Sequence, residues 1–174
     1  LTNNEFLYRR MSKLKSHGVS IKTSIAPWYY EQKELGFNYR MPDLLAALGR
    51  SQLQRLDGFL HRRREVASYY SRNIKSKKIE ILYQHKYAES SYHLFPILME
   101  NSEQRLELYE YLLSNKIKCQ VHYIPVYKQP FYHDSTHSNY PGAERFYQRE
   151  LSIPIFVDIT KDHLDYIIEK INNF

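Results

Sequence analysis

The strongest constraint on the fold is one amphipathic helical pattern that begins at Pro42 and runs without a second proline to Ile74. Proline suits a first helical turn, where its missing N–H costs nothing. Leu45, Leu48, Leu56, Phe59 and Leu60 recur on one face, and "HRRREVASYYSRNI" carries the pattern on, with a bend expected near Gly58. A helix this long with one apolar face needs a second layer against it. The last hundred residues supply one. "IEILY" (79–83), "SYHLFPILM" (91–99) and "IKCQVHY" (117–123) read as strands. "SEQRLELYEYLLSN" reads as a helix capped by Ser102, with Leu106, Tyr109 and Leu113 along its face. A short helix, "AERFYQREL", precedes "SIPIF", and a final helix starts at Thr160 with Ile167, Ile168 and Ile171 buried. Ahead of the long pattern, "TNNEFLYRRMSKLKSHG" has Thr2 as N-cap, Glu5 three residues on, Leu7, Met11 and Leu14 on one face, and Gly18 as a C-terminal cap. Helices on a small, mainly antiparallel sheet predict an α/β domain of the α+β two-layer kind.

Composition narrows the function classes. The 174 residues suit one domain. The net charge of +6 admits an anionic partner, but no zinc-finger spacing or RNA-binding aromatic signature appears, so nucleic acid is not the expected partner. The densest basic run, "HRRRE" (61–65), reads as a solvated helix face. No run approaches the length of a membrane span and no signal peptide is visible, so no membrane association is expected. A lone cysteine, Cys119, excludes an intrachain disulfide and predicts a reducing, cytoplasmic setting. Leu1 is not an initiator methionine, and the chain is expected to start inside a longer sequence. The 17 tyrosines fit surfaces that are apolar but need a polar tip, in sugar clefts or subunit interfaces.

The chain lacks the phosphate loop, the dinucleotide glycine fingerprint and HExxH. Cys119 and Val121 share a strand face while His122 takes the other, so Cys119 reads as a core thiol rather than a nucleophile. His133 and His137 are spaced as helical metal ligands but sit in the loop-like "FYHDSTHSNYPG" with no third ligand, so no metal site is expected. Two segments leave two readings open. "VHYIPVYKQPFY" (121–132) delivers His122 and Tyr123 to a loop stiffened by Pro125 and Pro130, which is either a ligand-binding loop or a rigid surface. In "GFNYR" (36–40), Asn38 and Arg40 form either an anion site, from amide donors and a planar fork, or a turn with a surface ion pair.

Taken together, "LTNNEFLYRRMSKLKSHGV", "ELGFNYRMPDLLAALGRSQLQRLDGFLHRRREVASYY", "YHLFPI", "VHYIPVY" and "ELSIPIF" resemble the C-terminal part of the DegT/DnrJ/EryC1/StrS sugar-nucleotide aminotransferases, over nearly the whole chain. "WYYEQKELGFNYRMPD" with "ELSIP" is most similar to the branch that makes 4-amino sugars for pseudaminic acid. The resemblance implies the aspartate aminotransferase fold and a division into residues 1–40, a remnant of the large cofactor domain with an interface segment, 41–74, a connecting helix, and 75–174, a small C-terminal domain. It implies pyridoxal 5'-phosphate as cofactor, glutamate and a UDP-linked 4-keto sugar as substrates, and a homodimer with shared active sites.

By the same resemblance, Asn38, with Arg40 beside it, crosses to the cofactor phosphate of the other subunit. His122 and Tyr123 line the sugar-nucleotide pocket, and Trp28 and Tyr30 border it. The family's Schiff-base lysine precedes the segment matching "TNN", so this chain is expected to carry no catalytic residue and to be inactive alone. A non-catalytic dimerisation or binding module is the alternative that follows if no such lysine precedes Leu1.

Overall fold

A computed structural model describes residues 2–21, 29–132 and 140–174, which fall into two units, 1–54 and 55–174. In the first, helix α1 spans Glu5–Leu14. Its N-cap is Asn4, whose side chain accepts from Leu7 N at 3.1 Å. Thr2, the expected cap, instead accepts from Asn4 N at 3.1 Å, and Glu5 pairs with Arg9 at 2.7 Å. The helix therefore starts two residues later than the capping-box pattern predicts. At its far end Gly18 donates its N–H to Lys13 O at 3.0 Å with φ 71°. A β-carbon at Gly18 would lie 1.9 Å from Glu34 O, and one at Gly36 would lie 2.1 Å from Gly18 N. Two backbones cross here with no room for a side chain on either. Strand β1 (Val19–Ile21) pairs antiparallel with β2 (Tyr30–Gln32), Val19 opposite Gln32.

Helix α2 spans Asp43–Gln54 and opens directly after Pro42. Helix α3 spans Leu56–Asn73. The long pattern is thus two helices interrupted at Arg55, upstream of Gly58. Neither α1 nor α2 contains a buried residue, and Leu45, Leu48 and Leu56 are exposed.

The second unit holds the core. Strands β3 (Glu80–Ile81), β4 (Phe95–Leu98) and β5 (Glu150–Ile153) form an antiparallel sheet in the order β3-β4-β5, with Ile97 opposite both Ile81 and Leu151. Helices α4 (Ser102–Ser114), α5 (Pro141–Arg149) and α6 (Lys161–Asn173) complete it, with single 3-10 turns at Val126–Lys128 and Pro130–Tyr132. Val66, Ala67 and Tyr70 of α3, the sheet residues Phe95, Ile97, Leu151 and Ile153, and Leu164, Ile167, Ile168 and Ile171 of α6 share one cluster. Thr160 caps α6 as its pattern predicts, accepting from His163 N at 3.2 Å. In α4 the cap is Asn101, one residue before Ser102, and the buried side chains are Leu108 and Leu112. Leu106 and Leu113, placed on its inner face by sequence, are exposed.

The basic run at 61–65 is not a solvated face. Arg62 donates to Ile159 O at 2.9 Å, and Arg64 to Ser90 O at 3.1 Å. Arg63 donates to the carbonyls of Tyr92, His93 and Ile155 at 3.0 to 3.2 Å. These carbonyls belong to the segments before β4 and after β5, which have no strand partner of their own.

The face of α4 is directly testable. Leu108→Ala is expected to cost about 2–5 kcal/mol, as for a fully buried leucine. Leu106→Ala, at a site 54% exposed, is expected to stay within about 0.5 kcal/mol. Denaturant midpoints of the two variants check the assignment, and equal losses would return Leu106 to the core.

Candidate functional site

The expected site residues fall in both units. Tyr30, Asn38 and Arg40 belong to the first, His122 and Tyr123 to the second, and Trp28 lies outside the described residues, as do His133 and His137.

Asn38 is held by its neighbours' main chain. Phe37 N donates to Leu14 O at 2.6 Å, Tyr39 N to Lys15 O at 2.9 Å, and His17 N to Phe37 O at 2.9 Å, while Asn38 itself bridges Ser16 in antiparallel register. The segment thus answers the unpaired carbonyls that end α1. The Phe37 and Tyr39 rings stack at 4.9 Å. Successive side chains of extended backbone alternate, so Asn38 stands on the opposite side from the stack. Asn38 and Arg40 are both exposed, and among the described residues neither side chain has a hydrogen-bond or ion-pair partner. The surface ion pair that would have made Arg40 structural is not among them. A carboxamide with two donors and a guanidinium with five match a phosphate chemically. Tyr30 opens β2 with its ring exposed.

His122 and Tyr123 follow a strand that stops early. Of the pattern 117–123 only Gln120 pairs, with Ser152, through N–H to carbonyl bonds of 3.2 and 2.8 Å. Continuing the antiparallel register would set His122 opposite Glu150. The Glu150 N–H, however, already closes the last turn of α5 on Phe146 O. The bond that this N–H would give to His122 O is lost, so no full rung forms there, and the His122 N–H goes to the Glu150 carboxylate at 2.8 Å rather than to its main-chain carbonyl. The other carboxylate oxygen accepts from Ser152 Oγ at 2.5 Å. Glu150 is only 1% exposed. Sequence alone gives it no role; the one signal is an acidic residue opening "ELSIP", whose other residues are apolar apart from Ser152.

The rings of His122 and Tyr123 meet edge to face at 4.6 Å, and the peptide between them is cis. Tyr123 is exposed, whereas His122 Nδ1 is buried with no partner among the described residues. A polar atom left so is costly unless something else meets it. His122 borders a cleft of about 440 Å3 shared with His93, Lys118, Gln120 and Ser152. Cys119 lies on the same cleft wall but is 4% exposed, and burial pushes its thiol up to about 12. It is a core thiol, because the thiolate is the nucleophilic form. Among the described residues no helix is long and apolar enough to cross a membrane, and no cluster of three or more His, Cys, Asp or Glu could hold a metal.

Residues 1–172 match the DegT/DnrJ/EryC1/StrS aminotransferase family. UDP-4-amino-4,6-dideoxy-N-acetyl-beta-L-altrosamine transaminase of Campylobacter jejuni is 37% identical over 182 residues, covering 98% of this chain and 48% of that protein. GDP-perosamine synthase of Escherichia coli O157:H7 is 31% identical, covering 100% and 46%. Among solved structures, Helicobacter pylori PseC, an aminotransferase involved in the biosynthesis of pseudoaminic acid, superposes with a TM-score of 0.88 at 30% identity, covering 99% of this chain and 47% of that one. The PMP form of the putative sugar aminotransferase Spr1654 from Streptococcus pneumoniae gives 0.89 at 26% identity, covering 99% and 45%. The chain thus spans about half the length of the curated relatives it matches, in their C-terminal portion.

Burial of Cys119 yields a labelling prediction. At pH 8 an alkylating reagent is expected to modify the native protein at least about a hundredfold more slowly than the same protein in denaturant, because an ordinary thiol near 8.5 is partly ionised there and this one is not. Mass spectrometry of a time course reads both rates. Equal rates would place Cys119 at the surface.

Proposed function

This chain belongs to the DegT/DnrJ/EryC1/StrS aminotransferase family, and on that premise we propose that it forms the C-terminal part of a pyridoxal-phosphate-dependent transaminase acting on a sugar nucleotide. The reaction moves the amino group of glutamate to a 4-keto sugar linked to UDP, leaving 2-oxoglutarate and the 4-amino sugar. The choice of a UDP-linked 4-keto sugar is supported by the 37% identity to the Campylobacter jejuni transaminase, against 31% to the GDP-perosamine synthase. The observation that carries the reading at residue level is the presentation of Asn38 and Arg40, exposed and without partners among the described residues on a main-chain strap. That donor set fits a dianionic phosphate.

Pyridoxal phosphate, when bound, supplies the electron sink and the nitrogen carrier of the two half-reactions. In this reading Asn38 and Arg40 hold its phosphate across a homodimer, reaching the site of the other subunit. His122 and Tyr123 hold the sugar nucleotide, with Tyr30 and Trp28 at the border. The exposed phenol of Tyr123 offers a hydrogen bond to a sugar hydroxyl, and its ring offers an apolar face. None of the lysines of this chain carries the cofactor, and the chain by itself is inactive.

Three experiments test this. The complete protein, given glutamate and a UDP-linked 4-keto-6-deoxy sugar, is expected to yield the amino sugar, seen by mass spectrometry; a protein that consumes no glutamate rejects the proposal. The chain by itself, treated with pyridoxal phosphate and borohydride, is expected to show no stoichiometric label at any one lysine. In the complete protein Asn38→Ala removes a hydrogen bond to a charged group, worth about 1.5–3 kcal/mol, so cofactor affinity is expected to fall roughly ten- to a hundredfold. Mixing that variant with one lacking the Schiff-base lysine puts both lesions in one site and leaves the other intact, so mixed dimers recover up to half the activity per dimer. At a cofactor concentration that starves the Asn38→Ala homodimer, a profile that never rises above the two parent variants means that Asn38 serves its own subunit.

A further inference from the structure

We infer that Glu150 is a positioning residue for the sugar-nucleotide pocket: its buried carboxylate fixes the main chain at His122 and so sets where His122 and Tyr123 meet the substrate. The inference rests on the reading that these two residues contact the sugar nucleotide.

The argument begins with the Glu150 N–H. Because α5 ends on it, through Phe146 O, β5 starts with its first ladder donor already spent. The segment from Ile117 pairs with β5 at one point only, Gln120 with Ser152, since the register sets Lys118 against Pro154, which has no N–H, and His122 against Glu150, whose N–H is spent. Two residues later the chain is free of the sheet, at the place where the pocket residues begin. One charge-assisted bond, from His122 N to Glu150 Oε2 at 2.8 Å, replaces the missing rung. Ser152 serves twice: its main chain holds Gln120, and its hydroxyl holds the second carboxylate oxygen at 2.5 Å. The carboxylate is thus fixed by the strand on one side and fixes the loop on the other.

A glutamate 1% exposed is rarely kept for packing, since an apolar residue of similar size would fill the same volume without the desolvation cost. Here an apolar residue could not receive the His122 N–H. Hydrogen bonds to a carboxylate are also roughly twice as strong as neutral ones, which suits a loop held at one point rather than by a ladder. Tyr123 is exposed and has no hydrogen bond of its own among the described residues, so its position relative to a ligand follows from the residue before it.

The test uses the complete enzyme and two kinds of readout. Glu150→Ala removes the acceptor. Glu150→Asp keeps the charge but withdraws it by one methylene. Glu150→Gln keeps a carbonyl oxygen for the His122 N–H. The Ala and Asp variants are expected to speed amide exchange at His122 and to raise KM for the UDP-sugar about tenfold or more, the scale of one lost charged hydrogen bond. The Gln variant is expected to recover most of both. Leu108→Ala, which loses stability in the core, is expected to leave KM within about twofold, separating positioning from general loosening.

If Glu150→Ala does not fold, Glu150→Asp carries the comparison. Unchanged exchange at His122 in a folded Ala or Asp variant overturns the staple itself. Faster exchange with unchanged KM overturns the positioning role. In that case His122→Ala and Tyr123→Phe identify the failing step: if they raise KM, only the role of Glu150 is lost, and if they do not, the assignment of the two residues to the pocket is lost with it.

Discussion

A folded chain must find a partner for every main-chain carbonyl it takes from water. In residues 55–174 the difficult carbonyls are those just before β4 and just after β5, where no strand lies alongside. The guanidinium of Arg63 meets three of them, at Tyr92, His93 and Ile155. Arg62 and Arg64 on either side meet Ile159 and Ser90, and the Tyr70 hydroxyl, about two turns further along α3, meets Pro154 O at 2.8 Å. One helix thus closes the end of the sheet at which β4 begins and β5 finishes, where Phe95 stands opposite Ile153. Below that row Val66, Ala67 and Tyr70 enter the core. All three bonds of Arg63 come from Nη1, whose two hydrogens are shared among the three carbonyls. At the far end of the helix Asn172 does the same work on a smaller scale, accepting from Lys75 N at 2.7 Å and donating to Asn73 O at 2.9 Å.

How much of this is legible in sequence depends on the range of the interaction. The final helix is read correctly from Thr160 to Ile171, since its cap and its apolar spacing are local signals. Adjacent polar residues compete for the cap at α1 and α4, where Asn4 and Asn101 win over Thr2 and Ser102. The "HRRRE" run reads as solvated because the acceptors of its arginines lie between 26 and 97 residues away. The early end of the strand after Ile117 was likewise invisible, since it is decided by the last turn of α5 taking the Glu150 N–H. In the candidate site, Asn38, His122 and Tyr123 could be picked out by motif, whereas Glu150, the residue that holds one of them, is recognisable only in three dimensions.

The first unit is built on a different principle. With no buried residue in α1 or α2, its local shape comes from main-chain hydrogen bonds around Leu14–Gly18 and Glu34–Tyr39 and from the close crossing at Gly18 and Gly36. Phe6, Leu7 and Met11 on one helix, and Leu44, Leu45 and Leu48 on the other, stay exposed. Apolar surface of this extent marks an interface. Under the proposed function it is where a second copy, or further parts of the protein, packs. Asn38 and Arg40, proposed above to meet the cofactor phosphate, are then carried by the unit that depends most on such packing.

The buried Cys119 thiol and Tyr70 phenol, with Tyr127 nearer the surface, also make the folded chain a store of protons. Burial pushes the Cys119 thiol up to about 12 and lifts the Tyr70 phenol further still, and desolvation with the neighbouring Glu144 carboxylate brings Tyr127 to about 12. In the unfolded chain the same groups ionise at ordinary values of about 8.5 for a thiol and about 10 for a phenol. Below those values both states keep their protons and the groups leave stability independent of pH. Above them the unfolded chain gives up protons that the folded chain retains, so each further rise in pH favours unfolding until the folded values are passed. Unfolding at alkaline pH therefore releases protons, first from the Cys119 thiol and then from the Tyr70 phenol.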